Sequence, residues 1–157
     1  MSLAEIKKPV MAFEPQTNGA GITGDYVKVS QCKMLNILVT IQQGNAATCA
    51  LTVEQATTAA GAGSKAITKV VPIWSNLDTA ASDTLVARTD AVSYTTDAGV
   101  KNKLVIFQID PATLDIANGF GWITIKAATS NAANIVGAIY LFDGLTYQNY
   151  SPPTQIA

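Results

Sequence analysis

Histidine is absent from the 157 residues, which removes the side chain that most often serves as general base, metal ligand and switch near neutral pH. Serine–histidine and cysteine–histidine catalysis go with it. Charge is scarce as well. The chain has 10 Lys plus Arg and 11 Asp plus Glu, 13% of its residues, against about 25% in typical globular domains. With a net charge of −1 and no long basic run, broad electrostatic binding to nucleic acid is disfavoured. The two cysteines, Cys32 and Cys49, stand in neither a CxxC nor a metal-ligand spacing, so two reduced, partly buried thiols and folding in a reducing compartment are expected. The longest apolar run, Ile135 to Phe142, falls far short of the roughly 20 residues a helix needs to cross a bilayer. No membrane partner is expected. Glu5, Lys7, Lys8 and Pro9 interrupt the start of the chain before a secretory-type apolar core can form.

What is present is 48% apolar residues, with Thr, Asn, Gln, Ser, Ala and Gly in place of the missing charge. Such a surface is cheap to desolvate and suits contact with other protein surfaces better than contact with phosphate. The length fits one domain with its own core.

Residues 1–25, with Pro9, Pro15, Gly19, Gly21 and Gly24 and no sustained apolar period, read as an extended arm. From Tyr26 the period is two. Leu35, Ile37, Val39 and Ile41 share one strand face; after Gln43-Gly44-Asn45, Cys49, Leu51 and Val53 alternate with polar residues, and the two runs read as a hairpin. Residues 56–66 carry no large apolar side chain and read as a loop. Ile67 to Trp74 is strand-like, with Pro72 calling for an edge or a bulge. Short strands are expected at 84–88 and 92–95. Leu104 to Ile109 reads as a strand covered on both sides. Asp110-Pro111 predicts one short helical turn ending by Asn118-Gly119, followed by strands at 122–126 and 135–142. Residues 148–157, with Pro152 and Pro153, read as an extended tail. About eight strands make the expected fold all-β, an antiparallel β-sandwich or jelly roll over residues 26–147 with an N-terminal arm.

The motifs supply no chemistry. Gly19-Ala20-Gly21-Ile22-Thr23-Gly24 has the glycines of a dinucleotide-binding turn but neither the preceding strand nor the following helix that would aim amides at a pyrophosphate. Gly61-Ala62-Gly63-Ser64-Lys65 lacks the Gly-Lys-Ser/Thr order of a phosphate loop. Asn149-Tyr150-Ser151 matches a glycosylation sequon and is assigned no role. Asp78, Asp83, Asp90, Asp97, Asp110 and Asp115 show no calcium-loop spacing and read as turn and capping residues. Trp74 and Trp122 read as core or subunit-interface aromatics, since no basic residues interleave with them as in a base-stacking platform. No enzyme activity, cofactor or metal is expected.

Gln43-Gly44-Asn45-Ala46-Ala47, the Ala/Thr/Gly-rich stretch 55–66, Val71-Pro72-Ile73-Trp74, residues 78–86 (DTAASDTLV), Lys101-Asn102-Lys103 and Phe107-Gln108-Ile109-Asp110-Pro111 together resemble a family of head-associated structural proteins of tailed bacteriophages. The resemblance spans roughly residues 35 to 125. It implies a decoration or cement protein made in the host bacterial cytoplasm and bound to the capsid exterior. Its partner would be the major capsid protein of an HK97-type head, and the protein itself a homo-oligomer with a trimer favoured. On that basis the arm's Val10, Met11 and Phe13, with Tyr26, are the candidate capsid contacts. Two alternatives remain: a phage tail or baseplate component, and a carbohydrate-binding β-sandwich module in which Trp74 or Trp122 stacks on sugar.

Overall fold

Alternation at Leu35, Ile37, Val39 and Ile41 hides four branched side chains completely or nearly so, because a strand in a two-layer fold buries one face and offers the other to solvent. The structure, a computed structural model, describes residues 3–145 and 156. Among them twelve strands form two antiparallel sheets packed as a sandwich. Sheet A comprises β1 (Lys7–Thr17), β12 (Asn134–Asp143), β4 (Met34–Gln43), β10 (Asn102–Ile109), β7 (Val71–Asn76) and β8 (Val86–Ala91), in that spatial order. Sheet B runs β2 (Ile22–Thr23), β11 (Trp122–Ala127), β5 (Ala50–Ala56), β6 (Lys65–Ala66), with β3 (Val27–Lys28) on β11 and β9 (Ser93–Thr95) on β5. The all-β sandwich expected from the alternation is present. The strands beyond the expected eight are mainly pieces of two or three residues.

The interior is the layer between the sheets. Val39, Ile37, Val105, Phe107, Ile73 and Phe142 enter it from sheet A, and Leu51, Val53, Ile123 and Ile125 from sheet B. The β4 and β5 runs do not form the expected hairpin. They bury toward each other from opposite sheets, so residues 44–49 cross the sandwich instead of turning within one sheet. Buried Asn134 holds that crossing: its Oδ1 accepts from Asn45 N–H at 2.9 Å and its Nδ2 donates to Ala47 C=O at 2.8 Å. Gly44 lies so close to the Ala133 carbonyl that a Cβ would collide with it.

Residues 7–17, expected in a free arm, are hydrogen-bonded as β1 along β12. The prolines that argued against a strand are tolerated because β1 is an edge, and the register slips between Met11 and Phe13 and again between Phe13 and Gln16. Pro72 lies opposite a register shift between β7 and β8, the bulge its missing N–H requires. Strand β10 is buried on its inner face only; Leu104, Ile106 and Gln108 on the other are half-exposed. The expected helical turn is two 3-10 turns. In Pro111–Thr113 the Asp110 side chain accepts from Ala112 N–H, and Ile116–Asn118 ends at Gly119 with φ of 83°. The tail expected over 148–157 lies, Ile156 apart, outside the described residues.

Two polar posts connect the sheets through the apolar layer. Tyr140 of β12 is fully buried; its hydroxyl donates to Asp25 C=O at 2.9 Å and accepts from Ile125 N–H of sheet B at 3.1 Å. Burial pushes its phenol up to about 12, so it stays a neutral donor. At the other post the Lys103 ammonium, 0% exposed, donates to Gln43 Oε1 at 2.9 Å and to the carboxylate and carbonyl of Asp97. Thr96 Oγ1 also donates to Gln43 Oε1 and accepts from Cys49 N–H, which carries the network into sheet B.

Removing the Tyr140 hydroxyl leaves the buried Ile125 N–H without its acceptor, so Tyr140→Phe is expected to cost about 1–3 kcal/mol in urea unfolding. An unchanged midpoint would show that the post is not structural. For the second post the two partners are unequal. Lys103→Met leaves Gln43 Oε1 still bonded to Thr96 and Asp97 facing water, so stability is expected to change by less than about 1 kcal/mol. Asp97→Ala strands a buried cation and is expected to cost about 2 kcal/mol, less than for a fully buried pair because the acid is half-exposed. The hydrogen bond from Lys103 holds the Asp97 carboxyl below its usual range. Its stabilisation is therefore present above the unfolded carboxyl pKa of about 3.9 and is lost as pH falls through the lower folded value. That acid-side loss should be smaller in Lys103→Met when unfolding is compared at neutral and acidic pH.

Candidate surface for protein contact

Registration across sheet A places six residues in one row over its outer face. Met11 of β1 opposes Ile139 of β12, Ile139 opposes Leu38 of β4, Leu38 opposes Ile106 of β10, Ile106 opposes Trp74 of β7, and Trp74 opposes Ala87 of β8. The row is an apolar stripe across the whole sheet. Met11 is 48% exposed, Ile139 39% and Trp74 37%, while Leu38 and Ile106 between them are half-buried. The flanking rows are apolar or carry uncharged amides and hydroxyls: Pro9, Leu141, Asn36 and Gln108 on one side, Gly137, Thr40, Leu104 and Asn76 on the other. A Cβ on Gly137 would strike Pro15, so β1 lies close over the sheet there. At one end of the face Lys7 and Asp143 pair with each other at 3.1 Å, and at its two edges Glu14 of β1 and Asp90 of β8 are exposed.

The outer face of sheet B is different in kind. Lys126 pairs with Glu54 at 2.6 Å; Glu54 also accepts from Ser64 Oγ, which in turn accepts from Tyr26 OH at 2.8 Å. Burial works to raise the Glu54 carboxyl, but the bonds from Lys126 and Ser64 outweigh it and hold the group below its usual range. Trp122 lies half-buried on this face, opposite Ala56 and Lys28. A fixed ion pair and its hydrogen bonds resist desolvation, whereas the face of sheet A offers little that must be stripped of water at a cost.

The candidate residues separate on this geometry. Phe13 is 8% exposed and belongs to the core, because the slip in β1 turns it inward. Val10 packs half-buried against the same core, and Tyr26 is tethered to Ser64 on sheet B. Phe13 thus has little surface to offer a partner, while Val10 and Tyr26 are partly exposed. Met11 is exposed, and it shares the stripe with Trp74, a juxtaposition no local pattern announces because the two residues meet only through four intervening strand pairings. Trp122 is on the opposite side of the sandwich. Ile139, Leu38 and Ile106 were not singled out in the sequence; the signal for them was an apolar residue at an outward position of a strand whose inner face is already apolar.

Elsewhere three of the aspartates are engaged in pairs or caps. Asp78 meets Lys101, Asp115 accepts from Lys65 at 2.7 Å and from Asn118, and Asp110 caps its turn. Neither glycine-rich segment opens a helix; Ile22–Thr23 and Lys65–Ala66 are short strands of sheet B. A depression of about 570 Å³ at one end of the sandwich is lined by Val29, Cys32, Pro111, Leu114, Ile116 and Phe120, among others. Burial, followed by the nearby charges of Asp110 and Asp143, pushes the Cys32 thiol up to about 12, which leaves it protonated and a poor nucleophile at neutral pH.

No protein-family model matches the sequence, and no curated protein matches it. Among solved structures, the chain is similar to the SPBc2 prophage-derived protein YomS, with a TM-score of 0.50 and 11% identity over 87% of this chain and 91% of that one. At that identity the likeness is one of fold. A CBM4 structure (TM-score 0.31, 10% identity, 87% of this chain and 67% of that one) and a structure of infectious bursal disease virus Gx strain (TM-score 0.27, 9% identity, 87% and 39%) are similar only slightly, too little to bear on fold or function.

Proposed function

We propose that the chain is a non-enzymatic structural protein of a tailed-phage virion, a decoration or cement protein that binds the outside of an HK97-type head. The observation that carries this reading is the charge-poor outer face of sheet A, with its apolar stripe from Met11 to Trp74. Depletion of charge with retention of Met, Trp and amides is the composition of protein–protein interface cores. The head-protein strings in the sequence and the fold likeness to a prophage-derived protein support the phage setting. Stabilisation would follow from mass action. A protein that binds the assembled lattice and not the free subunit shifts the equilibrium toward the closed shell, and many copies make weak contacts count.

The experiment is co-sedimentation of the full chain with intact heads lacking it, beside the same heads dissociated into subunits. Saturable binding to intact heads alone is expected. Equal binding to free subunits would remove the lattice-clamp mechanism, and no binding to heads would sink the role. Residues 1–25 should not be deleted in this test, since removing them strips β1 from the sheet. Trp74, 37% exposed between Ile106 and Ala87, favours the carbohydrate-module alternative, since an exposed indole can stack on a sugar ring. A glycan array in which the isolated chain binds, and Trp74→Ala does not, would replace the capsid reading with that one.

A further inference from the structure

We infer that the depression at the end of the sandwich is the seat of this chain's own residues 146–151, with Tyr147 and Tyr150 as the side chains that fill it. The inference goes beyond the proposed function and does not depend on it.

The floor of the depression belongs to the core: Val29, Leu114 and Pro111 are buried. Its wall does not. Ile116 is 60% exposed, and Phe120 and Cys32 are half-exposed. A volume of about 570 Å³ lies within the range of sites that enclose an apolar group, roughly 300–1,000 Å³. Covering such a wall removes apolar surface from water and is favourable for any occupant already tethered nearby.

The occupant follows from where the described chain leaves the fold. Strand β12 ends at Asp143, whose C=O accepts from Lys33 N–H at 3.0 Å. Gly144, with φ of 63°, then lies against the aliphatic stem of Lys33, so close that a Cβ would stand 3.0 Å from it, and Leu145 is buried in the core. Lys33 and its neighbour Cys32 both line the depression. The chain therefore departs from its rim. Residues 146–157, TYQNYSPPTQIA, carry two tyrosines and no charged side chain; 146–155 are outside the described residues. Lys33 and Asp110 on the lining are opposite in sign, so a neutral occupant leaves the balance of charge there undisturbed, whereas a charged one would add an unpaired charge at an apolar wall. A phenol suits the rest of the lining, with its ring against Leu114 and Phe120 and its hydroxyl within a site that offers Ser30 and Asp110 as partners. Tyr147 is two residues past Leu145, and Tyr150 is three further on, about 10 Å of extended chain. Pro152 and Pro153 follow at once. Pro152 biases Ser151 to an extended conformation and ends the seat, and Ile156 beyond them is exposed.

Cys32 reports on the cover, because Cys49 is fully buried and Cys32 lines the depression. The test is the rate at which the full chain reacts with N-ethylmaleimide, a small neutral thiol reagent. In the chain carrying both Tyr147→Ala and Tyr150→Ala, Cys32 should react at least about tenfold faster than in the native chain, with circular dichroism unchanged, since reaction in the native chain must wait for the tail to lift. A second measurement uses proximity in place of exposure. Tyr147→Cys and Tyr150→Cys are made separately and treated with a mild oxidant, and at least one of the introduced thiols should form an intramolecular disulfide with Cys32, located by peptide mapping. Equal alkylation rates in the native and doubly substituted chains would overturn the seat and leave the depression open to a small apolar ligand or a partner's side chain. Absence of a disulfide from both positions would overturn it as well, even if the alanine variant failed to fold. Neither result touches the capsid role, which co-sedimentation decides separately.

Discussion

Everything in this sandwich depends on the apolar layer between its sheets. The strands that face it supply β-branched or aromatic residues at every second position, and a shift of one residue would expose the whole set. That constraint explains why β4 and β5 separate into different sheets although they are close in sequence: each has one strongly apolar face, and the two faces satisfy each other only across the gap. It also explains the placement of the polar posts. Burying Tyr140 and Lys103 in such a layer is tolerable only because every bond each offers is taken up. The resulting bonds fix how the sheets lie over each other, which apolar contact alone specifies less sharply.

The same layer leaves two outer faces, and their difference carries the functional argument. Sheet B spends its outward positions on an ion pair, a hydrogen-bonded relay through Ser64 to Tyr26, and short crossing strands. Sheet A has longer strands, in unbroken register from β12 through β4 and β10 to β7, and its outward positions hold a row of apolar side chains between rows of mixed apolar, amide and hydroxyl residues. An exposed stripe of this kind is a liability for a solitary protein and an asset for one that spends its time against another surface. With 13% charged residues, the chain had the means to place charge there, as it did on sheet B, and the stripe across the middle of the face is instead uncharged.

Alternation made the body of the fold legible in the sequence. Strands β4, β7, β10, β11 and β12 lie where period-two patterns place them, and the Asp110-Pro111 turn and the Pro72 bulge follow from local backbone chemistry. What stayed hidden was long-range. Residues 7–17 look like an arm because edge strands tolerate proline and slips, so the features that mark a loop locally are those that an edge strand also carries. The β4–β5 crossing looks like a hairpin because Gly44-Asn45 has turn chemistry, and nothing local tells whether the next strand pairs beside β4 or beneath it. Phe13 and Met11 are two residues apart and looked equivalent; the bulge between them sends one into the core and the other to solvent.

The stripe was illegible for a related reason. Its six members come from six strands scattered between residues 11 and 139, and only the registers of five pairings bring them into line. Each residue taken singly has an ordinary explanation, an exposed Met or a half-buried Leu of the sort found on any soluble protein. Their alignment does not. A six-residue apolar row across a sheet whose edge strands carry prolines and bulges leaves the face, and not the edges, open to contact. Edge-to-edge growth has no natural stop, whereas a contact through the face uses that face once and ends. Blocked edges and an open face are two halves of one arrangement, which permits association through the sheet's surface while excluding its unlimited extension.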